Sequence, residues 1–97
     1  LLAAELAPAG IRVVCIRSHA IPEAATMGSH SRDVFEPVAR SAGISLEELM
    51  EGAAAGTLLK QLPTLDQVAN AAVFAASAHA ASMTGAVINL TGGAVVD

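Results

Sequence analysis

The most chemically versatile side chains in this sequence are one thiol and three imidazoles: Cys15, His19, His30 and His79. Their spacings match no structural zinc pattern, in which ligands arrive in close pairs, so no metal site is expected. Cys15 lies in an apolar run, where a buried and inert thiol is the usual state. His19 follows that run, and an imidazole at a strand end is able to pass a proton. The simpler reading, a loop residue filling space, is preferred. Met27, Val34, Phe35, Leu49 and Met50 either line a small-molecule pocket or pack two short helices together. Glu47, Glu48 and Glu51 read as a solvated helix face. Gly92-Gly93 lacks a following helix to hold an anion, so it reads as a chain-reversing turn rather than a phosphate site.

The elements that must position these residues are marked by caps and periodicity. Leu1 to Leu6 is a helical pattern stopped by Pro8-Ala9-Gly10, and a chain that opens at Leu1 inside such a pattern is expected to continue upstream. Residues 11–16 form a β-branched run with little alternation, as a strand covered on both faces requires. Ser, His, Pro and Gly then accumulate from Arg17 to Gly28, the composition of a loop at the carboxyl end of a strand, where open α/β sheets bind ligands. From Ser31 to Ala42 the pattern is weakly helical, with Pro37 expected to start or kink a short helix. Ser45 with Glu48, and Thr64 with Gln67, form two capping boxes that begin helices at Leu46 and Leu65. The first runs to about Ala55, with Gly56 ending it. The second sets Leu65, Val68, Ala69, Ala72, Val73 and Ala76 on one stripe. A second β-rich run, 86–91, ends at the glycine pair. Strand, helix, strand in that order implies parallel neighbours.

Composition narrows the classes. The chain has 97 residues, 54% of them hydrophobic, and a mean hydropathy of +0.58, which excludes disorder and allows at most one domain. A net charge of −4 without a basic run argues against nucleic acid. No apolar stretch approaches the roughly 20 residues of a membrane span, and one unpaired Cys fits a reducing, cytoplasmic setting.

Three stretches in register carry a resemblance. Leu2-Ala-Ala-Glu-Leu-Ala-Pro-Ala-Gly-Ile-Arg-Val-Val14 is similar to the end of the catalytic helix and entry to the sixth strand of the short-chain dehydrogenase/reductase family. Leu58-Leu-Lys-Gln-Leu-Pro-Thr-Leu-Asp-Gln-Val-Ala69 resembles that family's turn into its last helix, and Ser82-Met-Thr-Gly-Ala-Val-Ile-Asn-Leu-Thr-Gly-Gly93 its terminal strand. Their order and spacing make the joint match specific.

The resemblance implies an α/β fold: the C-terminal part of a Rossmann-type, doubly wound parallel sheet. Residues 1–97 would be one piece of a single domain, with the sixth strand at 11–16, a variable substrate segment at 18–62, the last helix at 65–78 and the last strand at 86–91. It implies an NAD(P)-dependent oxidoreductase acting on a small alcohol or carbonyl compound, with NAD or NADP left open, and a homodimer or homotetramer as the intact protein. The family's catalytic Ser, Tyr and Lys would lie upstream. This chain has no Tyr, and Lys60 sits in the wrong motif to stand in, so no catalytic residue is named here and the chain alone is expected to be inactive. Ser18, His19, Ala20 and Ile21 would be the cofactor-binding residues, with the main-chain amide near Ile21 the contact best kept. The family's Pro-Gly pair is replaced by Ser18-His19 and its Thr by Glu23, whose charge near cofactor phosphates must point away or divert the loop. Thr26 offers a replacement hydroxyl. A non-catalytic assembly module built on the same fold is the alternative.

Overall fold

The computed structural model describes residues 1–27 and 29–96. Two five-residue strands, β1 (Val14–Ser18) and β2 (Ala86–Leu90), pair in parallel, with Val14 opposite Ala86 and Ser18 opposite Leu90. β1 thus starts later than the apolar run 11–16 and reaches Ser18. Residues before it are held in register by other means: Val13 donates its N–H to Thr84 Oγ1 at 3.1 Å, and Gly85 donates to the Val13 carbonyl at 2.8 Å.

The helices among the described residues are α1 (Leu2–Leu6), α2 (Pro22–Thr26), α3 (His30–Ala42), α4 (Leu46–Ala55) and α5 (Leu65–Ala76). Both capping boxes form. Ser45 Oγ accepts from the Glu48 N–H while Glu48 Oε1 accepts from the Ser45 N–H, and Thr64 and Gln67 repeat the exchange. α1 passes through a 3-10 turn at Ala7–Ala9 and ends on Gly10 in the left-handed conformation, φ 75°.

The structure corrects four expectations. The stretch 17–27, expected to be loop, carries Arg17 and Ser18 in β1 and Pro22–Thr26 in α2. α3 runs unbroken through Pro37, capped by Ser29 and closed by Gly43. Pro37 only leaves the Asp33 carbonyl without its ladder donor on an exposed face, where solvent is able to replace it. The inward stripe of α5 is Val68, Ala71 and Ala75, the half-buried positions, and not the stripe through Leu65 and Val73, which are 44% and 69% exposed. An alanine-rich helix carries small apolar residues on every side, so periodicity alone does not fix which face turns in. Cys15 is exposed, not buried. α5 packs on the side of β1 that carries Val14 and Ile16, and the Cys15 side, shared with the half-exposed Val87, has no covering element among the described residues.

Burial is sparse. Among the described residues the buried apolar ones are Ala25, Ala39, Met50, Pro63 and Ala80, with Thr57 and Thr91 the buried polar ones. The radius of gyration is 16.1 Å, against roughly 12.5 Å for a compact domain of this length. α3 and α4 pack chiefly on each other and on α2, forming a layer set apart from the sheet.

Candidate functional site at the strand ends

Parallel pairing brings the carboxyl ends of β1 and β2, Ser18 and Leu90, to one edge, from which the segments 19–21 and 91–93 leave. Ser18 donates its hydroxyl to the His19 carbonyl at 2.8 Å. The half-buried His19 accepts the Ala20 N–H at Nδ1, at 2.7 Å. With Nδ1 an acceptor, the neutral ring carries its proton on Nε2. The Ala20 amide is therefore occupied within the loop, whereas the Ile21 N–H has no partner among the described residues, and its carbonyl starts α2 by accepting from Ala25. Pro22 stands at the first helical position, where its missing donor costs nothing.

Glu23 points away from this edge. Its Oε1 accepts the N–H of Leu65, the first residue of α5, at 2.9 Å. The negative charge is thereby placed at a helix N-terminus, where exposed amides and the helix dipole favour it. Thr26 does not supply a free hydroxyl, because its Oγ1 donates back to the Glu23 carbonyl at 3.2 Å.

The turn after β2 is locked by side chains that the sequence reading did not single out. Thr91 Oγ1 donates to Asn89 Oδ1 at 2.7 Å and accepts the Val95 N–H at 3.2 Å, while Asn89 Nδ2 donates to the Val95 carbonyl. Gly92 (φ 66°) and Gly93 (φ 89°) let the segment between α4 and α5 come close: a Cβ on Gly92 would sit 2.6 Å from the Gln61 carbonyl, and one on Gly93 2.6 Å from Leu58 Cβ. Leu59 donates its N–H to the Gly92 carbonyl at 2.9 Å. Thr57 anchors the other side, donating to the Ala54 carbonyl and accepting the Gln61 N–H. The pair is thus a close-packing turn. A second unsuspected anchor is Arg12, whose guanidinium donates to the carbonyls of Ala75, Ser77 and Met83 and so closes the end of α5.

An open groove of about 460 Å³ lies beside the loop, between α2, α4 and the stretch before α5, lined by Pro22, Thr26, Leu46, Met50, Leu62 and Thr64, with Glu47 and Glu51 at its rim. Of the five residues suggested for a pocket, Met50 is buried in it. Met27 and Val34 are 75% and 52% exposed. His30 lies on the surface 3.8 Å from Asp33, and His79 is exposed in a 3-10 turn. No three His, Cys, Asp or Glu residues converge among those described. No helix among them is long and apolar enough to cross a membrane.

Residues 1–95 match the family model described as Enoyl-(Acyl carrier protein) reductase. The chain belongs to the short-chain dehydrogenase/reductase family. Among solved structures it is similar to sorbitol-6-phosphate 2-dehydrogenase from Erwinia amylovora, at 31% identity and TM-score 0.78, over 99% of this chain and 36% of that one. It is similar also to YwfH, an NADPH dependent reductase involved in bacilysin biosynthesis, at 25% identity and TM-score 0.74, over 99% and 34%. A short chain dehydrogenase family protein from Francisella tularensis subsp. tularensis SCHU S4 shares the fold, with TM-score 0.78 at 24% identity over 96% and 36%. This chain therefore spans about a third of the length of these structures. No curated protein matches it. The α/β fold with parallel strands is that of the Rossmann-type sheet in these relatives.

Proposed function

We propose that this chain is the substrate-side third of an NAD(P)-dependent oxidoreductase that moves hydride between nicotinamide and a small alcohol or carbonyl compound, its Ser, Tyr and Lys catalytic set lying outside these residues. The observation that carries this is the Ile21 amide, without a partner among the described residues, in the segment that leaves the carboxyl end of β1, the edge where open α/β sheets take their ligands. The printed names of two relatives, a sorbitol-6-phosphate dehydrogenase and an NADPH dependent reductase, supply the reaction class.

The residues at this edge fit a nicotinamide cofactor. Glu23, a carboxylate that would repel it, is bound to α5 instead. Ser18, His19, Ala20 and Ile21 would hold the nicotinamide end, with the Ile21 N–H as donor. Ala20 would act through its methyl surface, since His19 holds its amide. When bound, the cofactor would supply hydride to a carbonyl compound or accept it from an alcohol. The chain's own part is to orient that cofactor and, through the groove between α2 and α4, to shield the reacting carbon from water. His19 lines the loop and orders it; it is assigned no proton transfer.

The low compactness and the bare face around Cys15 favour a piece that completes its core against other parts of its protein. The exposed Val73 and Phe74 of α5 favour assembly of that protein as a dimer or tetramer. A cytoplasmic location accords with a free thiol.

The test is turnover. The intact protein carrying this chain should oxidise NADH or NADPH with at least one small carbonyl compound, and the 97-residue chain alone should not. Hydride transfer proportional to the concentration of the isolated chain would defeat the proposal.

A further inference from the structure

The bond from the Leu65 N–H to Glu23 Oε1 spans 42 positions. Everything between its ends is the α3–α4 layer with its connections, and that layer packs chiefly on itself and on α2. The bond therefore stands at the neck of an excursion of the chain. A second tie closes the same neck from the other side, where the Leu59 N–H meets the Gly92 carbonyl at the end of β2. The groove between α2 and α4 opens immediately behind the Glu23 bond, with Pro22 and Thr64, the neighbours of the two bonded residues, both in its lining.

We infer that Glu23 is a clasp: its carboxylate joins the loop after β1 to the first turn of α5, so that the loop and α5 hold together and the α3–α4 layer is pinned at its neck before any ligand arrives. The chemistry favours this. At the start of α5 the Thr64 and Gln67 N–H groups are satisfied by the capping box, and the Leu65 N–H is left for an outside acceptor. An anionic oxygen is the strongest acceptor available there, because the N–H and the helix dipole act together. On the other side, α2 is too short to order itself: five residues, held by Ala25 to Ile21 and Met27 to Glu23 hydrogen bonds. A neutral hydroxyl on a short side chain at position 23 would reach no such partner. Glu23 is a positioning residue, setting the width of the groove mouth and the path of the loop.

The clasp rests on the geometry of this chain and not on the proposed reaction, so its test uses no cofactor. Amide hydrogen exchange is measured on the ligand-free intact protein that carries this chain, for wild type, Glu23→Ala, Glu23→Gln and Thr64→Ala. Glu23→Ala should speed exchange about tenfold at Leu65 and also at Ala25 and Met27, the two sides of the clasp. Glu23→Gln keeps an acceptor oxygen and should recover most of the protection on both sides. Thr64→Ala, which weakens the start of α5 without touching the clasp, should speed Gln67 and leave Ala25 and Met27 unchanged. Unchanged exchange at Leu65 in Glu23→Ala, or a change confined to one side, would overturn the inference. So would a Glu23→Gln variant as unprotected as Glu23→Ala. Loss of nicotinamide turnover in the wild type would overturn the proposed function and leave the clasp standing.

Discussion

Replacing Gly92 by alanine separates two physical effects that the structure sets side by side. Gly10 and Gly43 are left-handed, at φ 75° and 72°, and a Cβ on either meets nothing within 4 Å. Alanine there costs only the backbone strain, about 1 kcal/mol. Gly92 has a similar φ of 66°, but its Cβ would stand 2.6 Å from the Gln61 carbonyl, where ordinary contact begins at 3.4 Å. That oxygen belongs to the backbone and has little freedom to retreat. The Gln61 N–H is held by Thr57 Oγ1 and the Leu59 N–H by the Gly92 carbonyl, so displacing one strand of this contact loosens the other. Overpacking of this kind adds about 1–3 kcal/mol, bringing Gly92→Ala to about 3 kcal/mol in all. Urea unfolding of the intact protein bearing each substitution measures the difference. Gly92→Ala should exceed Gly10→Ala by about 2 kcal/mol, with faster exchange at the Leu59 amide. A Gly92→Ala variant no less stable than Gly10→Ala would refute the close approach of the turn to the 57–61 segment.

Other expectations follow from single contacts. Arg12→Ala strips donors from three carbonyls around the end of α5 and should cost about 2 kcal/mol in the same unfolding experiment, with Arg12→Lys recovering less than half because an ammonium cannot fork. Pro37→Ala restores a donor for the Asp33 carbonyl inside α3 and should stabilise by about 1–2 kcal/mol, the helix gain being offset in part by a freer unfolded chain; destabilisation would mean that the rigidity of the proline ring outweighs the restored hydrogen bond. Cys15 should react readily with a maleimide in the isolated chain and be protected in the intact protein, as followed by mass spectrometry. Equal reactivity in both would contradict the view that another part of the protein covers that face of β1.

The sequence made the punctuated parts of the fold legible. Ser45 with Glu48 and Thr64 with Gln67 mark helix starts because capping is a local exchange between residues three apart, and nothing distant competes with it. Pro37 misled because the penalty of an internal proline falls where water can make it good, and exposure is a tertiary property. The face of α5 was illegible for the opposite reason: Ala69, Ala71, Ala72, Ala75 and Ala76 give the helix no contrast between sides. At the site, the β-branched run and the turn residues after it announced a loop at a strand end. The roles of Glu23 and Arg12 depend on partners far along the chain, and no spacing rule encodes those; Thr57 and Thr91 bond within four residues of themselves, in turns that no capping pattern marks.

The central claim is that the Ser18–Ile21 edge receives a nicotinamide cofactor. It is tested most directly by amide exchange at Ile21 in the intact protein during titration with NADH and with NADPH. The account predicts saturable binding of at least one of them, with protection appearing at the Ile21 amide, which has no partner among the described residues. Absence of binding by both, or binding that leaves the Ile21 amide as exposed as before, would contradict it.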